Sequence, residues 1–153
     1  MSSYFTREEL LTLQSFEGKV LQGIQHVLWQ NIKQTAGGYE ALDWIVLDFT
    51  DNSQLTFTSD EENTGIFFEH AFQFEKKERE TLKEFGGQVI LIRRDMRDEP
   101  PWIDAIGKTL KWIGLEEESE GIFSREALRL DFGDWAVDIG MEEEGLKVDV
   151  GLE

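Results

Sequence analysis

Two stretches of the sequence repeat the same order of features, and this repetition constrains the fold more than any other property of the chain. The stretch from Leu47 reads LDFTDNSQLTFTSDEENTGIFFE, and the stretch from Leu130 reads LDFGDWAVDIGMEEEGLKVDV. Each opens with Leu-Asp-Phe and continues through a polar turn, an alternating run, an acidic cluster and a glycine. Further upstream, GKVLQGI matches GKTLKWI in the same order. The sequence therefore predicts two related units, 18–72 and 107–151, within a single domain of residues 1–153.

Both units have the pattern of antiparallel β-structure. ALDWIVLDFT and QLTFTS alternate apolar and polar residues around the turn DNS, and EALRLDF and WAVDIG do so around GD. Such alternation is typical of antiparallel strands with one face in water. GIFFEHAF and GLKVDV supply third strands, so each unit predicts a meander whose apolar face the other unit covers. A chance likeness between two unrelated hairpins is the alternative, but agreement of several features in one order favours duplication.

Helices are predicted beside these units. Thr6 and Glu9 form a capping box that starts a short N-terminal helix, and FEKKERETLKEFGG predicts a connecting helix at about 75–85. Segments 19–30 and 108–115 fit either helical or strand spacing, and their glycines and β-branched residues favour strands. QVILIRR predicts a buried strand, and RDEPPW a break. The predicted fold class is α+β, with two related antiparallel meanders packed together, a short N-terminal helix and a central connecting helix.

The charge of the chain limits its partners. Its formal net charge is -17, from 32 Asp and Glu against 15 Lys and Arg. A field of this sign repels nucleic acid and anionic lipid and attracts basic surfaces. The charge is also uneven, since segment 75–97 carries +2 and the remainder of the chain carries -19. We therefore expect a basic protein partner, and neither nucleic acid nor a membrane.

Several kinds of chemistry are excluded by the letters of the sequence. There is no cysteine, which excludes disulfides, thiolate catalysis and Cys-ligated metals and favours a reducing cytoplasm. The N-terminus lacks the pattern of a signal peptide, and no apolar run is long enough to cross a bilayer. Phosphate-binding loops, dinucleotide fingerprints, nucleophile elbows and zinc-protease helices have no matching motif. We therefore expect no cofactor, a cytoplasmic location and a non-enzymatic role.

A metal site is a weaker possibility in the first acidic loop. Asp60, Glu61 and Glu62 precede His70, and carboxylates with an imidazole are metal-binding groups. The spacing does not match a calcium-binding EF-hand loop, and the triple glutamate of the second unit does not match it either. Solvated loop acids are the alternative.

Trp102 and the second acidic cluster are the predicted partner-binding residues. Trp102 follows two prolines in a polar connection, where it is hard to place in a core, and tryptophan is enriched at interface hot spots. A core position is the alternative for this tryptophan, as for the other four. Glu142, Glu143 and Glu144 would supply the negative charge that a basic partner contacts.

The predicted function is a non-catalytic acidic protein-binding module of the immunity or inhibitor kind, engaging a basic partner. In size, charge and absence of cysteine the chain resembles bacterial immunity proteins that neutralise basic nucleases. No motif residue carries this resemblance, so it implies no site positions. The alternative is a carboxylate-based metal- or small-ligand-binding protein or hydrolase. For that chemistry Asp48 and Asp131 are the first pair to consider, because they are equivalent in the two units.

Overall fold

The computed structural model describes residues 4–32, 39–60, 65–69, 72–142 and 145–151, with the side chain of Tyr39 left out. Within them are two α-helices, α1 (Arg7–Gln14) and α2 (Phe74–Phe85), and a 3-10 turn at Trp102–Asp104. The first five strands are β1 (Leu21–Asn31), β2 (Tyr39–Phe49), β3 (Gln54–Ser59), β4 (Ile66–Glu69) and β5 (Val89–Asp95). The other four are β6 (Trp112–Ser119), β7 (Ile122–Asp131), β8 (Ala136–Glu142) and β9 (Gly145–Val150).

These strands form two antiparallel sheets. The first has the order β4-β3-β2-β1-β5, and the second has the order β6-β7-β8-β9. The predicted α+β class is confirmed, with two meander sheets, a short N-terminal helix and a central helix. β1 begins at Leu21 within segment 19–30, and β6 begins at Trp112 within segment 108–115, so both segments contribute strands, as expected. Each meander therefore has four strands rather than three.

Strand pairing places corresponding residues of the two units in the same register. Ile24 pairs with Leu47 in the first sheet, as Ile113 pairs with Leu130 in the second. Three further couples agree: Leu47–Leu55 with Leu130–Val137, Ile45–Phe57 with Leu128–Ile139, and Ser59–Ile66 with Met141–Leu146. The repeat of 18–72 and 107–151 stays a prediction, and this equal register is its structural support.

The two units also pair directly with each other. An isolated antiparallel bridge joins Val20 to Thr109, which are equivalent residues of the two matching upstream segments. Around the bridge the hydrogen bonds form two symmetric couples: Leu21 N to Lys108 O (3.0 Å) with Leu110 N to Lys19 O (2.8 Å), and Gly107 N to Leu21 O (2.8 Å) with Gly18 N to Leu110 O (2.7 Å). A local two-fold relation therefore passes through this bridge.

The main core lies between the sheets. It contains the inward-facing residues of both units, including Ile45, Leu47, Phe49, Leu55, Phe57 and Ile66 from the first and Leu128, Leu130, Phe132, Val137, Ile139 and Leu146 from the second. Burial of each such side chain contributes roughly 1.5–3 kcal/mol to stability. The alternation seen in the sequence therefore corresponds to one face of each sheet turned toward the other.

The helices complete the fold as their sequences predict. The Thr6 hydroxyl accepts from the Glu9 backbone N–H (3.2 Å), and the Thr6 backbone N–H donates to the Glu9 carboxylate (2.9 Å), so the capping box of α1 is confirmed. α2 ends at Gly86, which has a left-handed conformation with φ of 59°. It packs against β5 on the outer face of the first sheet. No helix of the described residues has the length and apolar character needed to cross a membrane.

One predicted strand needs a correction. QVILIRR forms β5, but β5 lies at the edge of the first sheet and pairs only with β1. Of its residues, Val89 and Leu91 are buried, and the arginines that follow are exposed. The local run of apolar letters could not distinguish an edge strand resting on a helix from a central one.

Candidate functional site

One end of the second sheet carries a group of exposed glutamates. β6 and β7 meet there through Glu120 and Gly121, where the φ of 77° at the glycine closes the turn. Segment 116–126 contains five glutamates and one arginine. In a meander the β6–β7 and β8–β9 turns lie at the same end, so Glu142, at the end of β8, belongs to this group. All six glutamates are exposed, and together they form the glutamate end: Glu116, Glu117, Glu118, Glu120, Glu126 and Glu142.

Two apolar side chains are exposed among these acids. The backbone of Tyr4 forms a bridge to Ser124, and this places its ring beside the β6–β7 hairpin. A hydrogen bond to Glu118, together with the charge of that carboxylate, raises the pKa of Tyr4. Ile122 is exposed at the start of β7. An apolar centre within a charged rim is the usual composition of a protein interface.

The one arginine of segment 116–126 does not neutralise the glutamate end. Arg125 is only 4% exposed. Its guanidinium donates to both carboxylate oxygens of Glu9, one of them at 3.0 Å, and lies 4.8 Å from the ring centre of Phe5 and 4.2 Å from that of Phe67. Burial raises the pKa of Glu9, but hydrogen bonds from Arg125 and Thr6 outweigh it and leave that pKa lowered. The positive charge of Arg125 is therefore paired with Glu9 and does not offset the charge of the glutamate end.

Six basic residues elsewhere are paired with other acids. The exposed or half-buried pairs are Lys19–Asp51, Lys77–Glu69, Arg94–Glu40, Arg97–Asp95, Lys108–Asp134 and Arg129–Asp138. Among the described residues, no ion pair includes a member of the glutamate end. These six carboxylates therefore add to one local negative field.

Trp102 requires a correction. The structure places it in the 3-10 turn with 0% exposure, in the core between the sheets. Its indole N–H donates to Nε2 of His26 (2.8 Å). A side chain with no exposed surface cannot contact a partner in this fold, so Trp102 is a core residue and the partner-binding assignment does not fit its position.

The predicted acidic site residues lie in different parts of the structure, and some lie outside the described residues. Glu142 is exposed at the glutamate end, while Glu143 and Glu144 lie outside the described residues. Of the predicted metal ligands, Asp60 accepts from the backbone N–H of Gly65 (3.3 Å). The other three, Glu61, Glu62 and His70, lie outside the described residues. The described part of the chain contains no group of three or more His, Asp or Glu side chains placed to hold a metal ion.

Asp48 and Asp131 do not form a catalytic pair. Each follows an inward-facing leucine and so lies on the outer face of its own sheet. Gln54 donates to Asp48 (2.9 Å), and the backbone N–H of Gly133 donates to Asp131 (2.7 Å). Asp48 lines a polar cleft of about 380 Å³ together with Asp95, and Asp131 does not contribute to it. Two carboxylates facing one reaction centre are therefore not formed by this pair.

Two titratable groups that the sequence did not mark as unusual have displaced pKa values. Burial raises the pKa of Asp43 to about 6, against the opposing charge of Lys77. Burial and the charge of Arg94 lower the pKa of His26 to about 4. Asp43 is not among the residues that line the polar cleft. Both groups sit within the fold, so their effects are expected on stability.

His26 is expected to make stability fall on acidification. Its pKa is 6.5 in the unfolded chain and about 4 in the fold, so the folded state binds this proton at a lower pH than the unfolded chain does. The stability it contributes is complete above pH 6.5 and is lost as the pH falls toward 4, by about 3 kcal/mol in total. Asp43 has the opposite sign, because the fold favours its protonated form. His26→Gln should therefore remove the loss of stability between about pH 6.5 and pH 4, measured as the dependence of the urea midpoint on pH.

A matched control for this measurement is His70→Gln, which removes the other imidazole of the chain. The assignment to His26 fails if His26→Gln has the same pH profile as the unchanged protein, or if His70→Gln alone flattens it.

The glutamate end is suited to attraction rather than to acid catalysis. A carboxyl group that acts as a general acid near neutral pH is usually shielded from water, and these six are exposed. Exposed carboxylates instead attract cationic groups over a distance set by the ionic strength. Comparison with protein-family models, curated proteins and solved structures finds no match to the chain. The functional argument therefore depends on the charge and geometry of this surface.

Proposed function

We propose that the chain is a non-catalytic, inhibitor-like binding module that engages a basic protein through the glutamate end. The observation that carries this proposal is the set of six exposed glutamates that have no ion-pair partner among the described residues. Tyr4 and Ile122 provide apolar surface beside them. The ion pair of the buried Arg125 with the half-buried Glu9 joins β7 to α1 behind this surface.

The two parts of this surface have separate roles in the proposal. The glutamates raise the rate of encounter with a basic patch, because complementary fields steer diffusing proteins together. Tyr4 and Ile122 slow dissociation by losing water when the partner covers them. Binding should therefore weaken steeply with salt while retaining specificity for one partner. A basic partner that itself binds a polyanion would lose that activity while its patch is covered.

Charge reversal at the glutamate end tests the proposal. The variant Glu116→Lys, Glu120→Lys and Glu126→Lys keeps Glu117 and Glu118, which accept bonds from Gly121 and Tyr4. Because the three lysines cancel the charge of the three glutamates that remain, the steering field is lost, and we expect partner affinity to fall by about tenfold or more at low salt. Immobilised protein is incubated with lysate of the source cells at low salt and eluted with a salt gradient. Eluted proteins are identified by mass spectrometry, and the affinity of the purified partner is then measured for each variant.

The matched control is the variant Glu78→Lys, Glu80→Lys and Glu84→Lys on α2. These three glutamates are also exposed, so the change in net charge is the same while the location differs. A single basic protein that elutes at high salt and discriminates the two variants supports the proposal. A broad set of basic proteins at modest salt, or equal loss in both variants, means that the acidity serves solubility.

A further inference from the structure

The two sheets have four edges, and three of them are protected against pairing with another strand. β4 contains only the four residues Ile66–Glu69. On β6, the backbone N–H of Ile113 donates to Glu17 (2.9 Å), and glutamates follow along the strand. β9 lies against β2. The contact is so close that a Cβ atom at position 145 would lie 2.7 Å from the Leu42 carbonyl oxygen. Short length, charge and coverage are the usual means by which proteins block sheet edges.

β5 is the remaining edge, and its hydrogen-bonding groups face outward. At its two ends the backbone N–H of Ile32 donates to Gln88 O (3.0 Å) and that of Met96 donates to Ile24 O (2.9 Å). In an antiparallel ladder, alternate residues bond to the same neighbour, so the residues at 90, 92 and 94 bond to β1. The residues between them direct their N–H and C=O groups to the open edge: Val89, Leu91 and Arg93.

Apolar side chains are exposed on both sides of this edge. Ile90 is 41% exposed on the face opposite α2, and Ile92 beside it is half-buried. On the other face, Leu82 and Phe85 of α2 are exposed. A seven-residue edge strand with outward hydrogen-bonding groups and exposed apolar neighbours is a template for strand pairing.

The charge at this edge opposes a second copy of the chain less than the charge of the rest of the chain does. Segment 75–97, which contains β5 and all of α2 except Phe74, carries +2 in a chain of -17. A contact between two copies through this segment keeps apart the remainders of the two chains, which carry -19 each and repel one another. Arg94 and Arg97 are already paired with Glu40 and Asp95, so like-charge repulsion between the two edges is reduced.

We propose that a second copy of the chain pairs antiparallel along β5, joining the two five-stranded sheets into one sheet across a two-fold axis. Centring the axis at Leu91 places this residue opposite Leu91 of the second copy. Ile90 then lies opposite Ile92 of the second copy, so the exposed isoleucine is covered by an apolar partner. The outward groups at 89, 91 and 93 all find partners in this register. The dimer leaves the glutamate end, on the other sheet, available.

The oligomeric state of the full chain tests this proposal. Sedimentation velocity, from low micromolar to hundreds of micromolar protein, should show a rise from the 17.7 kDa monomer to twice that mass. Arg93→Pro removes an outward backbone N–H that does not bond to β1, and should abolish the rise. Ile90→Lys should abolish it as well, because it places a charge at the interface centre. The matched control, Ile103→Lys, changes another exposed isoleucine, 47% exposed in the 3-10 turn, and should still dimerise.

Several outcomes overturn the proposal. If the unchanged protein stays at the monomer mass at every concentration, a second copy does not bind at this edge. A dimer that persists in both edge variants, or that is lost equally in Ile103→Lys, places the contact elsewhere. Arg93 also stacks on Phe74 (4.6 Å), so Arg93→Pro has a second route to an altered fold. If Arg93→Pro proves unstable, the test of the dimer depends on Ile90→Lys, whose melting temperature shows whether it is folded.

Discussion

Replacing Arg125 with alanine is expected to lower the free energy of unfolding by about 3–5 kcal/mol. The buried guanidinium bonds to Glu9 and to the carbonyl oxygen of Ile66 (3.3 Å) and lies between the rings of Phe5 and Phe67. Its removal leaves the Glu9 carboxylate in a partly desolvated site without its cation and opens a gap between the rings. The loss should be measured by urea unfolding followed by tryptophan fluorescence.

Arg129→Ala is the matched control for this prediction. Arg129 also forms a two-bond pair with a carboxylate, that of Asp138 (2.6 and 2.9 Å), but the two side chains are 34% and 37% exposed. Exposed pairs of this kind contribute about 0–1 kcal/mol. A double variant, Glu9→Ala with Arg125→Ala, should be less destabilised than the sum of its single variants. Equal losses in Arg125→Ala and Arg129→Ala would show that burial does not decide the strength of the pair.

Local sequence patterns predicted most of the strands, and the strand register agrees with the alignment of the two repeated stretches. Leu47 and Leu130 occupy the same place in two similar runs, and each pairs with the residue that the alignment makes equivalent. Period-two alternation carries this information because a shift of one residue would turn every apolar side chain to water. The capping box of α1 and the glycine stop of α2 are local signals too.

Contacts between residues far apart in the chain were not predictable in this way. Arg125 and Glu9 are separated by 116 positions, and nothing near either residue marks it as buried. Trp102 was misplaced for the same reason, because its position in the core depends on His26, 76 positions away. A polar connection with two prolines gives a local expectation of exposure, and tertiary packing overrides it.

The glutamate end was only partly predictable. Its member Glu142 belongs to the cluster that the sequence marked, but most of its members come from the β6–β7 hairpin. A count of acidic letters could not separate acids that pair with basic residues from those that do not. Asp51 and Asp134, for example, form ion pairs with Lys19 and Lys108, which offset their negative charge. These pairs depend on the folded structure and cannot be read from the sequence.

Two units with equal register use their outer faces differently. In the first, α2 and an aromatic cluster that includes Trp44 and Phe72 cover part of the outer face of the sheet. In the second, the equivalent outer strand positions carry charged or small residues, such as Arg129 and Gly140. The proposed dimer edge and the proposed partner surface therefore lie on different sheets, and each can be altered without changing the other.

Trp102→Ala is expected to destabilise the fold by about 3–5 kcal/mol and to leave the affinity of the remaining folded protein for its partner unchanged. The indole fills space between the two sheets, and its loss leaves a cavity and an unpaired His26 nitrogen. Trp102→Phe keeps most of the volume and loses the hydrogen bond, so its cost should be about 1–3 kcal/mol. Urea unfolding gives both values.

The matched control is Trp112→Ala, because this tryptophan is 49% exposed on the second sheet and rests on Gly114. Removal of an exposed side chain should change stability by about 0.5–1 kcal/mol at most. If Trp102→Ala is as stable as Trp112→Ala and yet fails to bind the basic partner, Trp102 is a contact residue after all. Loss of binding that follows the unfolded fraction instead identifies it as part of the core that supports the glutamate end.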